Sequence, residues 1–161
     1  LILENGEIYR LFTCMFLHFG IYHIANNMLV LFVLGQRLEP VVGKIKFILI
    51  YLLGGLGGNI FSFIMEMKSA DYAVSAGASG AVFAVMGAML YVVIRNHGRI
   101  QDISVRQMVI MAGFSLYFGF TSTGVDNAAH VAGLILGILL GILLYRKPKK
   151  KMDDGGVWNE R

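Results

Sequence analysis

Charged residues divide this chain into long apolar windows. Leu11 to Gln36 carries no Asp, Glu, Lys or Arg, and further charge-free windows run Phe47–Met65, Tyr72–Ile94, Gln107–Val125 and Asn127–Tyr145. A bilayer core of about 30 Å takes roughly 20 apolar residues of helix, so each window predicts a membrane-crossing helix. The first is expected to begin near Ile21, after a loop or short amphipathic piece. The predicted fold class is therefore all-α, a polytopic transmembrane helix bundle. Residues 1–145 form its core, with 1–20 as an outer loop before five spans, and residues 146–161 form a basic, polar tail.

Composition supports that pattern. The residues are 57% hydrophobic and only 15% charged, and the mean hydropathy is +0.67, whereas a soluble domain is about half apolar and a quarter charged. Too few charges are present to cover the apolar residues as a water-exposed surface. Twenty glycines fit as well, because glycine is commoner in membrane helices than in soluble ones. Two prolines and a single cysteine, Cys14, exclude a Pro-rich linker and a disulfide scaffold. The opening LILENGEIYR has no basic stretch of a signal peptide and reads as the start of a fragment or processed chain.

The net charge of +4 would suggest nucleic acid if the basic residues formed a patch, but their placement follows the spans. Arg37, Lys44 and Lys46 follow the first, Arg95, Arg99 and Arg106 the third, and Arg146, Lys147, Lys149, Lys150 and Lys151 the fifth. With Arg161 these make twelve, against Arg10 and Lys68 on the alternate side. The positive-inside rule then predicts a cytoplasmic tail, with the N-terminal segment and the Met67–Ala76 and Thr121–Asp126 loops outside. The charges are a topology signal, and nucleic acid is not an expected partner.

Glycine spacing predicts how the helices meet. Gly133, Gly137 and Gly141 recur every four residues and form one smooth stripe that lets another helix come close. Gly80 and Gly87 share a face of the third span, and Gly54, Gly55, Gly57 and Gly58 are dense enough to loosen the second.

Polar residues at membrane depth are costly unless they face a partner or a cavity. Ser79, within Gly77-Ala78-Ser79-Gly80, opens the third span; it can cap that helix or use its hydroxyl beside the free N–H groups of the helix end. His130 opens the fifth span, where its imidazole can face water or accept a serine proton at neutral pH. Both fall at the outer ends of their helices, hence at one depth. His23 and Asn27, four apart, share a face of the first span; they can form an interhelical clamp or donate to an oxyanion. His18 reads as a structural hydrogen-bonding residue. A zinc site of His18, His23 and His130 would need an acidic or thiol neighbour to complete it, and is not the expected reading.

These segments resemble the rhomboid intramembrane serine proteases. The matching pieces are Arg10-Leu11-Phe12-Thr13, Phe16-Leu17-His18-Phe19-Gly20, the His18/His23/Asn27 spacing, Leu38-Glu39-Pro40 as a cytoplasmic turn, Gly77-Ala78-Ser79-Gly80, and Ala129-His130-Val131-Ala132-Gly133 with Gly137. The resemblance runs from about Glu7 to Tyr145. It implies Ser79 as nucleophile and His130 as general base in a dyad without aspartate. It further implies His23, Asn27 and the Ser79 N–H as the oxyanion hole. His18, Phe83, Gly77 and Gly80 support the site, Phe83 by stacking on the histidine, and Arg10 and Glu39 hold structural positions. The chain departs from the family at Tyr9-Arg10, where Trp-Arg is usual, and the first of the family's six core helices is not among its five windows.

Other intramembrane proteases are excluded by inspection. No Glu follows a His, so H-E-x-x-H is absent, and all five aspartates lie in loops or the tail. The expected function is an intramembrane serine endopeptidase acting on membrane-anchored proteins in the lipid bilayer, with its site open to the outer face and no cofactor or metal. The alternative is a catalytically silent rhomboid-like protein that binds transmembrane clients. A transporter would need an acidic residue within a span to couple ions, and none is present.

Overall fold

The computed structural model describes residues 5–69 and 76–147, together with Ile2 and the backbone of two short strands in the tail. The expected Met67–Ala76 loop, the start of the Tyr72–Ile94 window and most of the basic tail lie partly or wholly outside the described residues. A short helix α1 (Arg10–Thr13) continues as a 3-10 turn over Cys14–Phe16. Five long helices follow, α2 (Ile21–Val42), α3 (Lys44–Ser69), α4 (Ser79–Arg95), α5 (Val105–Thr121) and α6 (Asn127–Leu144). They occupy the five apolar windows and make an all-α membrane bundle.

The helices differ in how they meet the membrane. α3 and α6 are each long and apolar enough to cross it, and Arg10–Phe16 with α2 qualify together across an 89° bend. α4 is shorter, at 17 residues; at 1.5 Å per residue it extends about 25 Å, against about 39 Å for the 26 residues of α3. It is nevertheless the centre of the bundle, with twelve of its residues buried. α5 is the opposite case, burying only Met108, Ala112 and Gly119 and leaving Phe114, Tyr117, Phe118 and Phe120 exposed.

Glycines bring α3, α4 and α6 together. A side chain at Gly133 would run into the Gly80 carbonyl, one at Gly137 into the Ala84 carbonyl, and one at Gly87 into the Leu134 carbonyl. The stripe expected on α6 is thus the face that meets α4. Lipid tails are as apolar as the helices, so close backbone packing replaces hydrophobic burial as the cohesive force. The glycines of α3 do not loosen it. The helix runs unbroken from Lys44 to Ser69, with Gly54 and Gly55 against Ala84 and Ala81, and Gly57 and Gly58 against Leu136 and the Ala129 carbonyl. Two neighbours meet α3 on adjacent faces, which is why its glycines are too dense for one stripe.

The Leu38-Glu39-Pro40 turn is also corrected: this segment is the last turn of α2. Leu34, Leu38 and Val42, four apart, are all buried, and only a helix running through Pro40 keeps them on one stripe. The reversal comes at Gly43, whose φ of +91° suits glycine. Arg37 fastens this end, donating from Nε and Nη2 to the two Asp102 carboxylate oxygens at 2.7 Å each. Asp102 follows Gln101 at the tip of a small hairpin, β1 (Arg99–Ile100) and β2 (Ile103–Ser104). Ser104 then starts α5 with a capping box to Gln107. Asn96 and Tyr145 tie the same ends of α4 and α6, the amide donating to the phenol oxygen at 2.8 Å and the phenol returning a bond at 3.1 Å.

Candidate active site

The site is built at the other end of α4. Ala78 is the residue preceding the helix and Ser79 its first helical residue, so the serine side chain is not spent as a cap. The segment leading into it is held by the α1 segment. Gly77 N–H donates to the Cys14 carbonyl at 2.9 Å, and Ala78 N–H donates to His18 Nε2 at 3.4 Å. His18 thus accepts a hydrogen bond from the residue before Ser79.

Gly77 has a φ of +139°, and a Cβ there would stand 2.7 Å from His23 Cε1 and 2.8 Å from Nε2. Only glycine fits this backbone with the imidazole so close. Asn27 Nδ2 lies 3.8 Å from the same point, so His23 and Asn27 both face the residue two before Ser79. Asn27 is 8% exposed, and its Nδ2 is buried with no hydrogen-bond partner. A buried orphan donor is uncommon and demands a reason. His23 also lies against His18, with ring centroids 5.0 Å apart.

His130 approaches from α6. It is 7% exposed, and its ring stacks on Phe83 with centroids 4.4 Å apart and planes 22° apart. Phe83 stands one turn after Ser79 on α4, so the histidine packs against the turn that follows the serine. Gly80 faces α6 here, its Cβ direction 3.6 Å from the Ala129 carbonyl. His130 Nδ1 is buried and unpartnered; this is the nitrogen that a carboxylate would hold in a Ser-His-Asp triad. No hydrogen bond joins Ser79 to His130 among the described residues; such contacts often tighten only when substrate binds.

Three polar residues frame the site that sequence reasoning passed over. Asn59 on α3 donates from Nδ2 to the Leu11 carbonyl at 2.9 Å and to Cys14 Sγ at 3.2 Å, anchoring the α1 segment. Ser62, one turn later, donates to the Asp126 carboxylate, 2.7 Å from each oxygen. Asp126 caps α6 by accepting from Ala129 N–H at 2.9 Å. The available signals were the i, i+3 spacing of Asn59 and Ser62 inside an apolar helix, and an acid one turn before His130.

The comparisons with known proteins show the family of the chain. The family model for the rhomboid domain matches residues 5–147. The chain is 38% identical over 136 residues to "Rhomboid protease GluP" of Bacillus subtilis, covering 84% of this chain and 26% of that protein. It is 35% identical over 150 residues to "RHOMBOID-like protein 5" of Arabidopsis thaliana, covering 92% of this chain and 48% of that one. It is 36% identical over 155 residues to the Arabidopsis "RHOMBOID-like protein 6, mitochondrial", covering 95% and 49%. The chain thus spans a quarter to a half of these relatives' lengths. With the glycine-packed helices, the serine opening α4 and the domain match over nearly all described residues, the chain belongs to the rhomboid family.

Proposed function

We propose that the chain is the catalytic part of an intramembrane serine endopeptidase that hydrolyses peptide bonds in or near transmembrane segments of membrane-anchored proteins. The observation that carries this reading is the convergence at the start of α4. His130 stacks on Phe83, one turn after Ser79, and a buried, unpartnered Asn27 donor with His23 faces Gly77, two residues before it. Ser79 attacks the scissile carbonyl, and His130 takes its proton and returns it to the leaving amine. The developing oxyanion is held by Asn27, His23 and the Ser79 N–H, a group left free at a helix start. The Asn27 orphan donor then has its partner in the transition state.

The distribution of basic residues supports a cytoplasmic Arg37–Asp102 end and tail, with the site toward the outer face. Water reaches the dyad from that side, because polar groups at depth are tolerated where they line a cavity. The test is labelling of the detergent-solubilised protein with a fluorophosphonate probe, alongside cleavage of a single-span membrane-anchored reporter. Labelling and cleavage that both vanish in Ser79→Ala support the reading. Cleavage that survives that substitution ends it.

A further inference from the structure

The reaction just described creates an electrostatic difficulty at the start of α6. A helix N-terminus carries about half a positive charge, and His130 becomes a cation there when it accepts the serine proton. Its Nδ1 has no hydrogen-bond partner, so no acceptor meets the new charge directly. One turn earlier, however, Asp126 brings a carboxylate to the same helix end, and its backbone carbonyl accepts from His130 N–H at 3.2 Å. That carboxylate is held in place from two sides, by Ala129 N–H at 2.9 Å and by Ser62 Oγ at 2.7 Å from both oxygens. Ser62 is 4% exposed, so its hydroxyl has little access to competing water and is committed to this bond.

We propose that Asp126, locked by Ser62 of α3, is a positioning residue for the general base: its charge offsets the helix end and favours the imidazolium form of His130, without touching the reacting atoms. The inference rests on the serine-dyad reading. Asp126 also caps α6, and the two roles separate by substitution. Asn and Ser cap helix starts about as well as Asp but carry no charge, whereas Glu keeps the charge and caps poorly.

The experiment measures kcat, KM and Tm for the full-length protein and its Asp126→Asn, Asp126→Ser and Asp126→Glu variants on a membrane-anchored reporter. The expected order of kcat is parent, then Glu, then Asn and Ser together. The uncharged variants should fall by about tenfold or more, the scale of a partly buried charge at a helix terminus, with KM little changed. Ser62→Ala should lower kcat in the same direction by less. If Asn and Ser retain parental kcat while Glu loses it, or if kcat follows Tm across the series, Asp126 is only a cap and the inference is overturned. A Ser79→Ala control separates the two layers. Cleavage that persists in it overturns the dyad reading and this inference together, while Ser79-dependent cleavage unchanged in Asp126→Asn overturns this inference alone.

Discussion

Phe83 and His130 lie face to face, with ring centroids 4.4 Å apart and planes 22° apart. The stack fixes the imidazole's plane relative to α4, and α4 carries Ser79 one turn away. The proposed nucleophile and the proposed base, though on α4 and α6, are therefore both aligned against α4. Ser79→Ala and His130→Ala should each abolish reporter cleavage, and the double variant should be no worse than either, because the pair acts as a unit. Additive losses in single-turnover kinetics would show that the residues act separately.

Asn27 and His23 answer to a different measurement. Removing one oxyanion donor usually costs about 10²–10³ in kcat, or roughly 2.7–4 kcal/mol. Asn27→Ala and His23→Ala should each approach that loss with KM little changed and with Ser79 still present to be labelled. Parental rates in both folded variants would reduce them to a clamp between helices.

Helix packing gives a stability prediction. A Cβ on Gly137 would collide with the Ala84 carbonyl, whereas Gly113 on α5 has nothing within 4 Å. Gly137→Val should destabilise by about 1–3 kcal/mol through overpacking. Gly113→Ala should hold or raise Tm, since alanine gains up to about 1 kcal/mol over glycine in a helix. Thermal unfolding in one detergent compares them, and equal melting temperatures would contradict the α4–α6 contact.

The Arg37–Asp102 pair predicts an acid limb. The guanidinium holds the Asp102 carboxyl at about 2, below its ordinary 3.8. A depressed folded-state value means that the contribution is complete above 3.8 and is lost as pH falls through about 2. The Tm gap between the parent and Asp102→Asn should be constant at higher pH and close by about pH 2, and it should shrink with salt because the pair is exposed. A gap that widens on acidification would reverse the sign.

What the residue pattern revealed follows from what apolar windows and spacings encode. The start of α2 at Ile21, the Gly133/Gly137/Gly141 face and the shared face of His23 and Asn27 are all local periodicities. Ser79 and His130 were visible because hydroxyl and imidazole are rare at depth, and their equal height followed from counting spans. The Ser62–Asp126 bond was not visible, because it joins residues 64 apart across two helices. The Leu38-Glu39-Pro40 turn, taken from the resemblance, misled because the buried stripe of Leu34, Leu38 and Val42 carries the helix through it. The hairpin at Gln101 carries a φ of +50° on a non-glycine residue, so its turn lacked the usual glycine mark.

The shortness of α4 has one more consequence. Its far end is moored where Asn96 and Tyr145 bond to each other, so the helix works as a ruler measured from that mooring. Each residue contributes about 1.5 Å of height and about 100° of rotation. One residue inserted between Phe83 and Asn96 would move the hydroxyl by less than the width of a water molecule, yet would turn it a quarter circle or more away from the imidazole. The height of Ser79 and its alignment with His130 are thus set by a single integer, the number of residues in α4. A bilayer of different thickness changes the height of water above the serine without changing that count.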